Sequence, residues 1–121
     1  WFPVNSEKDN YIWAYDVKED GTISNGRQFA KLFLTGNVLD RKGKSSSADG
    51  MAIDKKGNLY VATYYGVQIF NAEGKYVGMI NLPSFPVSLC FGGKDMKTLY
   101  IVSYSKVYTI RTNMEGFVNY L

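Results

Sequence analysis

The stretch Leu59-Tyr60-Val61-Ala62-Thr63-Tyr64 recurs forty positions later as Leu99-Tyr100-Ile101-Val102-Ser103-Tyr104. The correspondence continues beyond these six residues. Val67-Gln68-Ile69-Phe70-Asn71 is answered by Val107-Tyr108-Thr109-Ile110-Arg111, and the turn Asn71-Ala72-Glu73-Gly74 by Asn113-Met114-Glu115-Gly116. Both copies are rich in β-branched and aromatic residues, lack a helical 3.6-residue stripe, and are punctuated by Gly, Asn and Asp. A repeat of about forty residues made only of strands is the signature of a propeller blade, four antiparallel strands wide.

Working outward, the complete blade (residues 49–82) takes strand A at Gly50–Ile53, B at Leu59–Thr63, C at Val67–Phe70 and D at Tyr76–Leu82. The following blade (86–121) takes A at Val87–Phe91, B at Leu99–Ser103, C at Lys106–Arg111 and D at Phe117–Tyr120. Ahead of them, residues 1–34 are the remnant of a blade without its inner strand: Trp1–Asn5 as B, Tyr11–Val17 as C, Arg27–Leu34 as D. The expected fold is therefore all-β, about two and three-quarter four-stranded blades. The connections fit this pattern. In Asp54-Lys55-Lys56-Gly57-Asn58 the carboxylate can cap turn amides and Gly57 can take a positive φ. Asp16 through Gly21 is read the same way.

A propeller closes with at least four blades, and a six-bladed ring takes roughly 270 residues at this repeat length. The 121 residues here are less than half of that. The expectation is either a piece of a longer chain, in keeping with an opening Trp1-Phe2-Pro3 without methionine, or a half that completes itself by pairing with other copies. Unpaired inner edges and open blade faces would favour such association.

Composition narrows the chemistry. The chain has no histidine and one cysteine, so Ser-His and Cys-His nucleophilic sites, His-ligated metal sites and Cys-cluster metal sites are excluded, as is an internal disulfide. Cys90, between Leu89 and Phe91, is expected to be a buried structural thiol. The net charge of +3 is scattered, and the single basic run Arg41-Lys42-Gly43-Lys44 lies among glycine and serine, which argues against nucleic-acid binding. No apolar run is long enough for a transmembrane helix, so no membrane partner is expected; the compartment is not legible.

Strand geometry sorts the loops. D–A and B–C connections emerge on one face, which collects Asn5-Ser6, Thr35–Asp49, Thr63-Tyr64-Tyr65, Ser84–Pro86 and Ser103-Tyr104-Ser105. Asp49, immediately before an inner strand, becomes a carboxylate at the channel mouth. There it would pair with a cation or stay wet, and oxygen ligands suit Ca²⁺, Mg²⁺ or Mn²⁺ and also hold Zn²⁺. The alternative is that Asp49-Gly50 is one more turn leading into a strand. Asn5, Tyr64, Tyr65 and Tyr104 share the rim and could touch a substrate, although asparagine and tyrosine are ordinary at strand ends.

The run Asp49-Gly50-Met51-Ala52-Ile53-Asp54 followed by Gly57-Asn58-Leu59-Tyr60-Val61-Ala62 resembles the gluconolactonase and regucalcin (senescence marker protein) family. The likeness extends through Leu82-Pro83, Cys90-Phe91-Gly92-Gly93-Lys94-Asp95 and Thr98-Leu99-Tyr100-Ile101, and upstream through Ile12 to Phe29. It departs at Ala48, where the family often has proline. The resemblance implies a six-bladed propeller with one divalent cation, hydrolysing small sugar lactones. It implies that Asp49 is both a metal ligand and the general base, with the other ligands outside this sequence. The competing reading is a non-catalytic propeller module whose rim binds protein or glycan, or which assembles with itself.

Overall fold

The computed structural model describes residues 10–34 and 46–118, and these contain strands and turns with no helix. Nine strands follow one another: β1 (Tyr11–Val17), β2 (Ile23–Lys31), β3 (Met51–Ile53), β4 (Leu59–Thr63), β5 (Gly66–Phe70), β6 (Tyr76–Ile80), β7 (Pro86–Gly92), β8 (Thr98–Ser103) and β9 (Val107–Arg111). They make three antiparallel sheets in strict sequence order, β1-β2, β3-β4-β5-β6 and β7-β8-β9. Consecutive meanders with no crossover are what short connections between successive strands impose.

The central sheet is the complete blade, with Met51↔Val61, Leu59↔Phe70 and Val67↔Ile80 as representative pairs. Two apolar layers flank it. On one side Tyr60, Ala62 and Val67 meet Leu89, Phe91, Leu99 and Ile101 of the third sheet, with the Tyr60 and Phe91 rings edge to face at 5.2 Å. On the other, Val61 and Phe70 meet Ala30 and Leu32 of the chain leaving the first sheet. Successive side chains of a strand point to opposite faces, so β4 is buried from Tyr60 to Thr63 without alternation. Its repeat partner β8 alternates instead: Leu99, Ile101 and Ser103 are buried while Tyr100 and Val102 are exposed. Nearly the same six residues thus read differently, because β4 has a sheet on both faces and β8 on one.

That difference corrects the expectation for Cys90. It is exposed, because Leu89 and Phe91 take the inward positions of β7 and Cys90 shares the outer face with its partner Tyr100.

Two strand expectations also shift. β2 begins at Ile23 rather than Arg27, since the hairpin turn closes tightly: Thr22 donates its backbone N–H to Asp20 Oδ1 at 2.9 Å, Gly21 sits at φ 82°, and Val17 pairs with Ile23 at once. Asp20 caps the turn, whereas Asp16 reaches across the hairpin to Asn25 (2.9 Å) and Arg27 (3.0 Å). The fourth strand expected at Phe117–Tyr120 does not form at Phe117 or Val118, and Asn119 and Tyr120 lie outside the described residues. Instead the chain turns inward after β9. Lys55 N–H donates to Glu115 O and Phe117 N–H to Ile53 O, both at 2.9 Å, and Gly116 forms a bridge with Asp54. The end of the inner strand β3 is covered by this segment, reinforced by a Lys55–Glu115 ion pair.

Candidate functional site

Asp49 lies half-buried at the start of the inner strand. Its N–H donates to Ala62 O at 2.9 Å, Gly50 N–H donates to Val87 O at 2.9 Å, and Tyr64 N–H donates to Ser46 O at 2.9 Å. The segment Ser46–Gly50 therefore runs beside the end of β4 and touches the third sheet as well. It is also fastened to the first sheet, because the buried Asn10 accepts from Ser46 N–H through Oδ1 at 3.0 Å. Three successive sheets thus converge on the backbone around Asp49. Asn10 and Ser46 were not singled out in the sequence; a polar residue just before a strand is too common a pattern to mark them.

Around this segment the B–C and D–A connections bring aromatic rings together. Tyr64 and Tyr65 meet edge to face at 5.7 Å, Tyr64 and Phe85 lie at 5.5 Å with planes 32° apart, and Phe85 and Tyr104 at 6.4 Å and 44°. The structure brings Tyr64, Tyr65 and Tyr104 onto one rim and adds Phe85. Ser84–Pro86 belongs to the same loop face by strand geometry, but a single phenylalanine there carries no mark of its own. Asn5 lies outside the described residues, as do positions 35–45 of the long loop.

The B–C turns are built alike in the two repeats. Thr63 Oγ1 donates to Gly66 O at 2.8 Å, and Ser103 Oγ donates to Lys106 O at 3.0 Å. A hydroxyl at the strand end closes the turn and lifts the next tyrosine onto the rim.

The shifted ionisations lie on the opposite face, among the A–B and C–D turns. Asp54, 2% exposed, accepts from Lys56 N–H (2.9 Å), Asn58 N–H (3.0 Å), Asn58 Nδ2 (2.9 Å) and the Tyr60 hydroxyl (3.1 Å). Burial, and then the Asp54 carboxylate beside it, push the Tyr60 phenol up to about 12. Asp95 is held well below the usual carboxylate range by the two-pronged hydrogen bonds of Arg111. Asp54 is thus a turn-capping residue. A separate cleft is lined, among the described residues, by Asn10, Tyr11, Lys31, Leu32, Phe33, Leu34 and Tyr76, and Asp49 is not one of them.

Asp49 offers the hard oxygen donors that a divalent cation takes, yet one carboxylate is not a site. Among the described residues no cluster of three or more acidic or cysteine side chains could hold a metal ion.

The family description "SMP-30/Gluconolactonase/LRE-like region" matches residues 4–105. The chain belongs to this family. It is 32% identical over 109 residues to a gluconolactonase of Zymomonas mobilis, a match covering 87% of this chain and 29% of that protein. It is 36% identical over 95 residues to regucalcin of Gallus gallus, covering 75% and 28% respectively. The chain therefore spans under a third of these curated relatives. Among solved structures, a luciferin-regenerating enzyme superposes with a TM-score of 0.69 at 23% identity, covering 89% of this chain and 40% of that one. The fold is that of a partial propeller. Among the described residues of this family member, no helix is long and apolar enough to cross a membrane.

Proposed function

We propose that this chain forms part of a lactone hydrolase acting on sugar lactones of the gluconolactone kind, with Asp49 as its catalytic carboxylate. The observation that carries the reading is the placement of Asp49: a half-buried carboxylate at the head of an inner strand, tied to Ala62, with its neighbour Gly50 tied to Val87. Family membership supports the reaction class, since the gluconolactonase of Zymomonas mobilis is among its relatives.

Opening a lactone needs a water to attack the ring carbonyl and a group to accept its proton. A carboxylate fixed by the backbone ladder can take that proton, and so act as general base. The ester oxygen leaves with a proton and the product is a hydroxy acid. Tyr64, Tyr65 and Tyr104 would form the substrate rim, the lactone ring lying against Tyr64 and Tyr65. A divalent cation (Ca²⁺, Zn²⁺, Mg²⁺ or Mn²⁺) belongs to this proposal as the group that polarises the carbonyl, with Asp49 as one ligand. The described residues do not complete its coordination.

The test is hydrolysis of gluconolactone by the full-length protein, with each cation supplied, comparing Asp49→Ala with the parent. Loss of about a hundredfold or more in kcat is expected for a general base. Robust turnover unchanged in the variant would overturn the assignment of Asp49.

A further inference from the structure

We propose that Tyr64, Phe85 and Tyr104 form an extended platform that binds a second sugar ring, so that the preferred substrate is a glycosylated sugar lactone rather than a bare monosaccharide lactone. This rests on the lactonase reading above and extends it to substrate class. The three rings come from three different connections, B–C of the complete blade, D–A, and B–C of the next blade. They follow one another at 5.5 and 6.4 Å. A strip two ring-steps long is longer than one six-membered lactone can cover.

The fold does not need these rings for its core. Neither apolar cluster includes any of the three, and Phe85 and Tyr104 remain 40% and 85% exposed. Their surroundings select the ligand. Thr63-Tyr64-Tyr65-Gly66, Ser84-Phe85-Pro86 and Ser103-Tyr104-Ser105-Lys106 contain one charged residue, Lys106, in a chain where charged residues are 21%. They otherwise supply aromatic faces, hydroxyls and backbone. A sugar ring has the matching chemistry: an apolar C–H face to lie on an aromatic ring and hydroxyls at its edge for tyrosine and serine. An anion or an acidic peptide would find one cation, Lys106, in these segments, against three aromatic faces and several hydroxyls. The strip is continuous with the proposed reaction centre, since Tyr64 N–H is bonded to Ser46 O and Ala62, two residues earlier, accepts from Asp49 N–H.

The experiment compares gluconolactone with cellobionolactone as substrates of the full-length protein and of its Phe85→Ala and Tyr104→Ala variants. The ratio of kcat/KM for the disaccharide lactone to that for the monosaccharide lactone is expected to fall about three- to tenfold in each variant, mainly through KM. Tyr104 is so exposed that its truncation removes little packing, which keeps folding out of the comparison. A ratio unmoved by either variant overturns the platform, whether or not the parent is a good lactonase. So does a changed oligomeric mass with an unchanged ratio, which would give the strip to a second copy of the chain. Cellobiose binding followed by tyrosine fluorescence separates the two readings. If neither lactone is hydrolysed but cellobiose still quenches saturably, and less so in Tyr104→Ala, the lactonase reading falls and the platform stands. Absence of both turnover and quenching overturns both.

Discussion

The side-chain amide of Gln68 grips the main chain of Phe33 at both of its polar groups. Its Oε1 accepts from Phe33 N–H at 2.8 Å and its Nε2 donates to Phe33 O at 2.9 Å, while Nε2 also donates to Thr63 Oγ1 at 3.3 Å. Gln68 is fully buried in β5, and Phe33 follows β2 of the preceding sheet. A glutamine amide has the same donor–acceptor pair as a peptide unit, so it continues the hydrogen bonding of one blade into the next. A buried polar side chain in this position is stable because each of its groups has a partner.

Replacing Gln68 with leucine should therefore cost about 2–3 kcal/mol, because two main-chain groups lose their partners while little volume changes. Chemical denaturation followed by circular dichroism measures this. A loss below about 0.5 kcal/mol would show that water replaces the amide without penalty.

Asp54→Ala should be of comparable severity, about 2–4 kcal/mol, since four donors converge on a carboxylate that is 2% exposed. Lactone turnover by the folded fraction should be retained, because Asp54 lies on the loop face opposite Asp49. Loss of turnover at full folding would instead make Asp54 part of the chemistry.

Tyr60 predicts an alkaline limit. Its phenol rises from 10.0 to about 12 on folding, by burial first and the Asp54 carboxylate second. A raised folded-state pKa on an acid means that the folded state holds the proton more tightly. The associated stability is fully present below pH 10 and declines as pH rises toward 12. Near-ultraviolet absorbance should show one tyrosine ionising late, coincident with unfolding, and Tyr60→Phe should abolish that late step.

Gly116→Ala should release the segment that covers β3. A methyl group at position 116 would collide with the Phe91 side chain, so either Phe91 shifts in the core or residues 115–117 lift away. The expected cost is about 1–3 kcal/mol, with faster hydrogen exchange at the Lys55 and Phe117 amides that bond across this seam. Unchanged exchange at both would mean that the core absorbs the methyl group in place.

The blade grammar was legible because it is local. Leu59–Thr63 and Leu99–Ser103 are strands in both the repeat and the structure, Asp54 and Asp20 cap their turns as an aspartate before glycine suggests, and the loop faces follow from antiparallel order alone. The site was legible only in part. Tyr64, Tyr65 and Tyr104 could be placed on one rim by counting strands, but the ring-to-ring chain through Phe85 depends on how far two blades splay. That angle is set by the packing of Tyr60 and Ala62 against Phe91 and Ile101. Asp16 shows the same limit on a smaller scale: its position suggests a turn cap, and only the hairpin register puts Arg27 and Asn25 opposite it.

By itself, then, the sequence determined that the chain is all-β, repeats a unit of antiparallel strands, and has no histidine chemistry, because residue type and spacing settle strand, turn and nucleophile inventory without reference to neighbours. Tertiary structure decided everything that depends on what lies across a sheet face. It buried β4 on both sides while leaving Tyr100, Val102 and Cys90 exposed, and it sent Glu115–Phe117 back to β3 instead of into a fourth strand. It also brought three loops together into one aromatic strip. A strand's pattern says which side chains share a face, but only packing says whether that face meets another sheet, a crossing segment or solvent.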